Sequence, residues 1–240
     1  MTKWSTRIEG NTMSTAMIIG GTDGLGRFMA QRHADRGGTV VIAGRDAGRA
    51  EAVAKEIGPA ATGIGLDLAR PETIAASADG VPSLDHLVIT ASHQRPNTLR
   101  NFDIAEAVTA VTTKLVGYTE AVRVLRERFT PEASVVLFGG LAKERPYPGS
   151  TVITTFNSAV TGLVKTLAVE IAPHRVNALH PGLVGDSPRW RDADPGQVAE
   201  RTPIGRLVTM AEIADATDFL LRNGGINGHD LFVDGGFLTR

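Results

Sequence analysis

Short apolar runs alternate with longer stretches of mixed polarity along this chain, which predicts strands alternating with helices. Met17-Ile18-Ile19 is the first run, apolar at every position, and reads as a strand buried on both faces. Similar runs predict strands over 39–43, 62–66, 84–90, 133–139, 175–179 and 229–233. Helical patterning covers about Arg27 to Asp35, a long stretch over 102–129, and another over 152–171 with Pro173 beyond its end. Strands that alternate with helices are joined by crossovers, so the pattern predicts a doubly wound α/β domain. Its sheet is expected to be mostly parallel and seven-stranded, with helices on both faces.

Between the first strand and the first helix stands Gly20-Gly21-Thr22-Asp23-Gly24-Leu25-Gly26. Glycines there permit a tight turn and a close backbone approach to a pyrophosphate, while the helix N-terminus offers unpaired N–H groups to the anion. A glycine turn alone is equally a structural turn. The second strand, following within one unit of roughly 30 residues, gives it the context that a dinucleotide-binding unit requires.

Composition narrows the classes. The chain has 240 residues and a net charge of −1, so no basic field marks a nucleic-acid or membrane partner. It has no cysteine, which removes disulfides, thiolate metal sites and thiol catalysis; no metal site is expected. No internal repeat or linker divides it, and residues 17–240 read as one domain behind a polar, flexible extension over 1–16, with Met13 as an alternative start. No apolar run approaches transmembrane length, and the first dozen residues lack the apolar core of a signal peptide. The expected location is the cytoplasm.

Several segments together resemble the short-chain dehydrogenase/reductase family, whose fold is of Rossmann type. Ile19-Gly20 through Gly24-Leu25-Gly26 is similar to its Thr-Gly-x-x-x-Gly-x-Gly turn, with Ile19 where Thr is usual. Asp67-Leu68 resembles the segment whose Asp hydrogen-bonds the adenine ring, and Ile89-Thr90-Ala91-Ser92 stands where Asn-Asn-Ala-Gly is usual, keeping only the Ala. Arg175 through Gly182 resembles the strand and Pro-Gly turn beside the nicotinamide, and Pro203-Ile204-Gly205-Arg206 and Val233-Asp234-Gly235-Gly236 resemble the tail. The resemblance implies a nicotinamide cofactor held by Gly20, Thr22, Asp23, Gly24, Leu25, Gly26, Arg45, Asp67, Leu68, Ala91, Asn157, Pro181 and Gly182. It also implies a homodimer or homotetramer built on the two long helices, and a small-molecule substrate.

After the second strand, a free ribose 2′-OH is usually met by an acidic residue. Gly44 holds that place, followed by Arg45, whose planar fork matches phosphate oxygens. NADP is therefore expected over NAD, although Arg45 also suits the opening of a surface helix, and Asp46 beside it is a candidate ion-pair partner. Arg49 either reinforces the patch or is solvated.

The family's acid–base residues are missing. Anchoring the second long helix on Gly162-Leu163 puts Ile153 at the catalytic Tyr and Asn157 at the Lys four residues later. Gly140 takes the place of the Ser, and Thr112, or a neighbour by one register, that of the Asn. Ile153 exchanges no proton, and neutral Asn157 depresses no neighbour's pKa; general acid–base help of about 10²–10⁴-fold would be lost. Candidate replacements near the expected nicotinamide are His180, His93 and Tyr147. Each also has a structural reading, as a satisfied buried His, a loop His and a turn residue. Lys143 and Lys114 read as solvated. Leu183 to Thr202 resembles the family's lid, in which Trp190 either caps the substrate or packs the flap. Phe138, Phe156, Ile153 and Leu183 make the expected pocket apolar. Three functions fit: an NADP-dependent oxidoreductase with a non-standard proton route, a catalytically silent NADP-binding sensor or partner, or a non-redox cyclase or lyase reusing the pocket.

Overall fold

A computed structural model describes residues 14–188 and 196–239. Seven strands, all parallel, form one sheet: β1 Thr15–Ile19, β2 Thr39–Gly44, β3 Ala61–Gly65, β4 Leu84–Ile89, β5 Phe129–Phe138, β6 Arg175–Pro181 and β7 Asp230–Val233. Their order is β3-β2-β1-β4-β5-β6-β7. The order reverses between β1 and β4, which opens a crevice at the carboxyl ends of the strands. The helices are α1 Gly24–Asp35, α2 Ala47–Ile57, the short α3 Ile74–Ser77, α4 Ile104–Val111, α5 Gly117–Leu125, α6 Thr151–Glu170, the short α7 Gly196–Glu200 and α8 Met210–Arg222.

Strand alternation divides the core into two layers. Met17, Ile19, Val41, Leu87 and Val135 face α5 and α6, where Tyr118, Val122, Val160 and Val164 meet them. Ile18, Ile42, Val88 and Val136 face the other way, against Met29 of α1, Val53 of α2 and Ile213 and Leu220 of α8. A sheet apolar on both faces must be covered twice, so the strand pattern alone calls for helices on both sides.

The long helix expected over 102–129 is three pieces. A π turn, Thr112–Val116, separates α4 from α5, and β5 begins at Phe129, earlier than expected. A π turn adds a residue to the local winding, which rotates the side chains that follow. The helix α6 runs twenty residues and is long and apolar enough, by composition, to cross a membrane; this corrects the expectation that no segment is. Its Val160, Val164 and Leu167 are packed into the core.

Candidate functional site

The carboxyl ends of β1 to β4 surround a cleft of about 190 Å³ that gathers Gly20, Thr22, Gly44, Arg45, Asp67, Leu68, Ala91 and His93, with Thr109 and Thr113 from the α4 side. Two larger open hollows, lined by Arg145, Gln197, Glu200 and Arg201 and by Glu144, Arg145, Phe232 and Leu238, lie elsewhere and hold none of the residues the sequence points to except the loop around Arg145.

Sterics explain the glycines of the turn. Gly20 has φ +94°, and a Cβ on it would stand 2.6 Å from Ala91 N and from Thr90 Oγ1. A Cβ on Gly26 would stand 2.2 Å from Gly20 O. Backbone replaces side chain at both points, so β1, α1 and β4 close tightly, and the Gly20 and Gly21 amides bond Ala43 O at 2.8 and 3.3 Å, which ties the turn to β2. Thr90, where the family has Asn, fastens this junction: its Oγ1 lies 3.3 Å from both Ile19 O and Gly20 O. Asp23 serves as the N-cap of α1, one oxygen accepting from Gly24 N at 2.8 Å and the other pairing with Arg49 at 2.9 Å. That resolves the role of Arg49, which sits over the turn and balances the charge of the cap.

Asp67 spends its carboxylate locally, accepting from Ala69 N at 3.0 Å and from Arg70 Nε at 3.1 Å. Its loop thereby holds Leu68 against the wall of the cleft. Gly182 bonds Val233 O through its amide at 2.8 Å, so the Pro181-Gly182 turn is anchored to the end of β7. The described part of the lid is anchored as well: Val184 bridges Val208, and Asp186 accepts from Met210 N at 2.7 Å. Trp190 and Arg191 lie outside the described residues.

The structure separates the three candidate proton carriers. His180 is fully buried; Nδ1 accepts from Gly140 N at 3.1 Å and Nε2 meets Asp230 Oδ1 at 3.0 Å, with Phe232 stacked on the ring. Burial pushes its pKa down, against the pull of Asp230. Both ring nitrogens are committed, so none is left for a reacting group. His93 lines the cleft, with Nε2 2.5 Å from Glu106 Oε2. Tyr147 is half exposed on its turn, outside the cleft.

At the family's catalytic positions the chemistry is apolar or amide. Ile153 packs with Ala110, Ala142, Val152 and Phe156 in a small cluster of its own. Asn157 is buried beneath Gly140, where an added Cβ would come within 2.9 Å of Asn157 Nδ2, and its Oδ1 has no hydrogen-bond partner. Thr112 opens the π turn and is partly exposed. The side chains expected to be solvated are a correction: Lys143 and Lys114 are both buried. Lys143 bonds Thr161 Oγ1 at 2.8 Å and Asp230 Oδ2 at 3.0 Å, so it is the cation of the His180–Asp230 network. Lys114 is carried inward by the π turn, and its Nζ lies 3.0 Å from Tyr118 Oη.

Comparison with known proteins agrees with this geometry. A family model described as enoyl-(acyl carrier protein) reductase matches residues 20–238. The chain belongs to the short-chain dehydrogenase/reductase family. Members of that family are oxidoreductases, and this chain is similar over nearly its whole length to several. The 3-oxoacyl-[acyl-carrier-protein] reductase of Bos taurus is 26% identical over 227 residues, covering 91% of this chain and 95% of that protein. A solved short-chain dehydrogenase/reductase family protein superposes with a TM-score of 0.84 at 31% identity, over 95% and 98% of the two chains. The 3-ketoacyl-(acyl-carrier-protein) reductase from Brucella melitensis, solved with NADH, superposes with a TM-score of 0.84 at 29% identity, over 94% and 98%.

The residues present fit the dinucleotide that such relatives bind. Gly20 and Gly26 leave backbone where a side chain would stand, and the cleft is open from the turn to Arg45. On the far side, the unpaired, buried Asn157 Oδ1 is an acceptor without a donor where the family places its ribose-holding residue. Orphaned buried acceptors are uncommon, and a hydroxyl reaching it would satisfy it.

Proposed function

We infer that this member of the family is an NADP-dependent oxidoreductase that moves a hydride to or from a small organic substrate by a proton route other than the family's Tyr hydroxyl. The observation that carries the cofactor choice is the end of β2. Gly44 stands at the place of the usual ribose-binding acid, and a Cβ there would lie 2.6 Å from Thr22 Cγ2, so a side chain would have to displace that methyl. Arg45, next in the chain, lines the cleft and is exposed, and it forms no ion pair among the described residues. Its neighbour Asp46 is occupied as the N-cap of α2, accepting from Arg49 N at 3.0 Å. A free guanidinium at this point suits a 2′-phosphate.

When bound, the nicotinamide dinucleotide supplies a pair of electrons and a hydrogen in one step. The chain's own contribution is to hold and to exclude. The turn amides and α1 would receive the pyrophosphate, Arg45 the 2′-phosphate, and Leu68 and Ala91 the flat faces of the adenosine end. Asn157 Oδ1 would accept from a ribose hydroxyl. Ile153, Phe156 and Ala142 form a buried apolar cluster that would back the place of the substrate's reacting carbon and keep water from that side. Supporting an assembly of two or four copies, Ile104, Val108 and Val116 expose apolar side chains along the broken helix, and Val169 does so on α6.

Calorimetric titration with NADPH and, separately, with NADH tests the reading. Micromolar NADPH binding with weaker NADH binding supports it. Binding of neither nucleotide would make the glycine turn purely structural and leave a non-redox use of the pocket.

A further inference from the structure

Lys114 is the residue that the fold least explains. It is 1% exposed, yet no carboxylate among the described residues pairs with it. Its one hydrogen bond is to Tyr118 Oη at 3.0 Å, and its Nζ lies over the Tyr118 and Phe156 rings, 4.9 and 5.7 Å from their centroids. Tyr118 has a single proton and three carbonyl oxygens around it; Ala91 O is nearest at 2.8 Å, with Ile89 O at 3.2 Å and Phe138 O at 3.4 Å. The hydroxyl proton therefore goes to Ala91, and Oη accepts from the lysine. The remaining hydrogens on Nζ have no acceptor among the described residues.

Burying a charge without a counter-ion costs several kcal/mol, and an apolar side chain of similar volume packs such a place at no such cost. The location is what gives the amine a use. Ile89 ends β4, Ala91 lies two residues beyond it and Phe138 ends β5, so Nζ lies at the carboxyl ends of the two strands beside the crevice. Ala91 and Thr113, the residue before Lys114, both line the cleft. Phe156 is followed by Asn157, with its own unsatisfied oxygen, and comes within one helical turn after Ile153, the position of the lost proton carrier. The amine short of acceptors lies over the Phe156 ring, and the amide short of a donor is the next residue on α6.

We propose that Lys114 is the catalytic acid–base residue of this enzyme, with Nζ giving a proton to the substrate oxygen in carbonyl reduction and taking it back in alcohol oxidation. This rests on the oxidoreductase reading above. In the reducing direction an N–H bond of the ammonium breaks and an O–H bond forms on the former carbonyl oxygen. The carbonyl carbon gains its hydrogen and electron pair from the reduced nicotinamide dinucleotide, which is oxidised, and the neutral amine regains a proton from water. The lysine's flexible stem lets Nζ leave Tyr118 and reach past Thr113 to the substrate.

Burial lowers the Lys114 pKa to about 7, so both forms are populated near neutrality, as acid–base catalysis requires. The titratable groups facing it are Tyr118 on the next turn, which burial holds protonated, and His180 from β6, which feels the lysine's charge. His180 is held by Asp230, itself paired with Lys143. From α6 it meets only the uncharged Phe156 and Asn157. At the end of β4 the nearest titratable side chain is His93, bound to Glu106.

The chain has five lysines, so selective ¹³C labelling resolves each amine by NMR, with Lys114→Met assigning the signal of interest. The expected result is a Lys114 signal that titrates near neutrality and shifts when NADPH is added. With a panel of ketones and aldehydes, Lys114→Met then loses roughly 100-fold or more of the turnover. Its NADPH affinity by calorimetry stays within about threefold, and the wild-type reduction rate falls as pH rises through the amine's titration. A signal that stands still on NADPH binding, or a Lys114→Met enzyme with the wild-type rate and pH profile, overturns the proposal while leaving the cofactor reading intact. Failure of NADPH to bind the wild type defeats the oxidoreductase reading itself.

Discussion

A Cβ at Gly44 would stand 2.6 Å from Cγ2 of Thr22, so the glycine turn after β1 and the end of β2 are packed against one another. The contact ties the two loops that would hold opposite ends of an adenosine phosphate. A side chain at that position would have to displace the Thr22 methyl, and Arg45 stands beside it at the cleft.

Arg45→Ala should weaken NADPH binding by roughly 10–100-fold, the worth of a hydrogen bond to a charged group. NADH affinity should change by less than about twofold. Paired calorimetric titrations read the difference, and an equal loss for both nucleotides would show that Arg45 does not contact the 2′-phosphate.

Gly26→Ala places a methyl 2.2 Å from Gly20 O and 2.8 Å from its carbonyl carbon, backbone atoms that have little freedom to yield, with Thr90 Oγ1 at 2.9 Å. The expected cost is about 1–3 kcal/mol of stability, together with loss of nucleotide binding because the turn must open. Thermal unfolding and calorimetry on the variant check both parts.

His86 is expected to make the protein acid-sensitive. Burial first, and the neighbouring His33 second, lower its pKa to about 4, and its Nδ1 has no hydrogen-bond partner. Between about pH 6.5 and 4 the unfolded chain binds a proton that the folded one refuses, so stability falls as pH falls through that window. The contribution reaches at most about 3 kcal/mol at the acid end. His180, also lowered by burial, acts in the same direction. His86→Leu should flatten the decline in urea-unfolding free energy between those pH values; an unchanged slope would put the acid sensitivity elsewhere.

Lys114→Met should be more stable than wild type at neutral pH. In the folded state the amine titrates near 7, against an ordinary value of 10.5, so between these values the unfolded state holds the extra proton. Wild-type stability therefore rises with pH over that window and is lowest, on this account, below about 7. The methionine variant should lack the rise. Chemical denaturation at pH 7 and pH 10 would expose it, and a variant less stable than wild type at pH 7 would mean that the ammonium is better satisfied than its single hydrogen bond implies.

Much of this was legible in the chain itself. Apolar runs at β1, β2, β4 and β5 mark buried parallel strands because a sheet covered on both faces has no polar side. The glycine turn could be read by its spacing between strand and helix, and Gly44-Arg45 and the missing Tyr and Lys by the resemblance to the family. The helical stripe even points to Lys114: Ala107, Ala110, Lys114, Tyr118, Ala121 and Leu125 recur at intervals of three and four, and buried neighbours flank the lysine on that stripe. Reading lysine as solvated by type overrode the period, and the period was right.

The sequence by itself determined the order of strands and helices, the two-sided burial of the sheet and the glycine junction, because these follow from local periodicity and from the absence of Cβ atoms at fixed spacings. Only the tertiary structure decided which titratable groups are engaged and which are not. His180 and Lys143 lie 37 residues apart in the chain yet share Asp230, fifty residues further on, and so lose their freedom. Lys114 gained its place through a π turn that no composition announces and through a tyrosine whose hydroxyl is held by strands β4 and β5. Partners brought together by the sheet, at separations that no local pattern encodes, set the burial and hydrogen bonding of each group, and those in turn set its proton affinity.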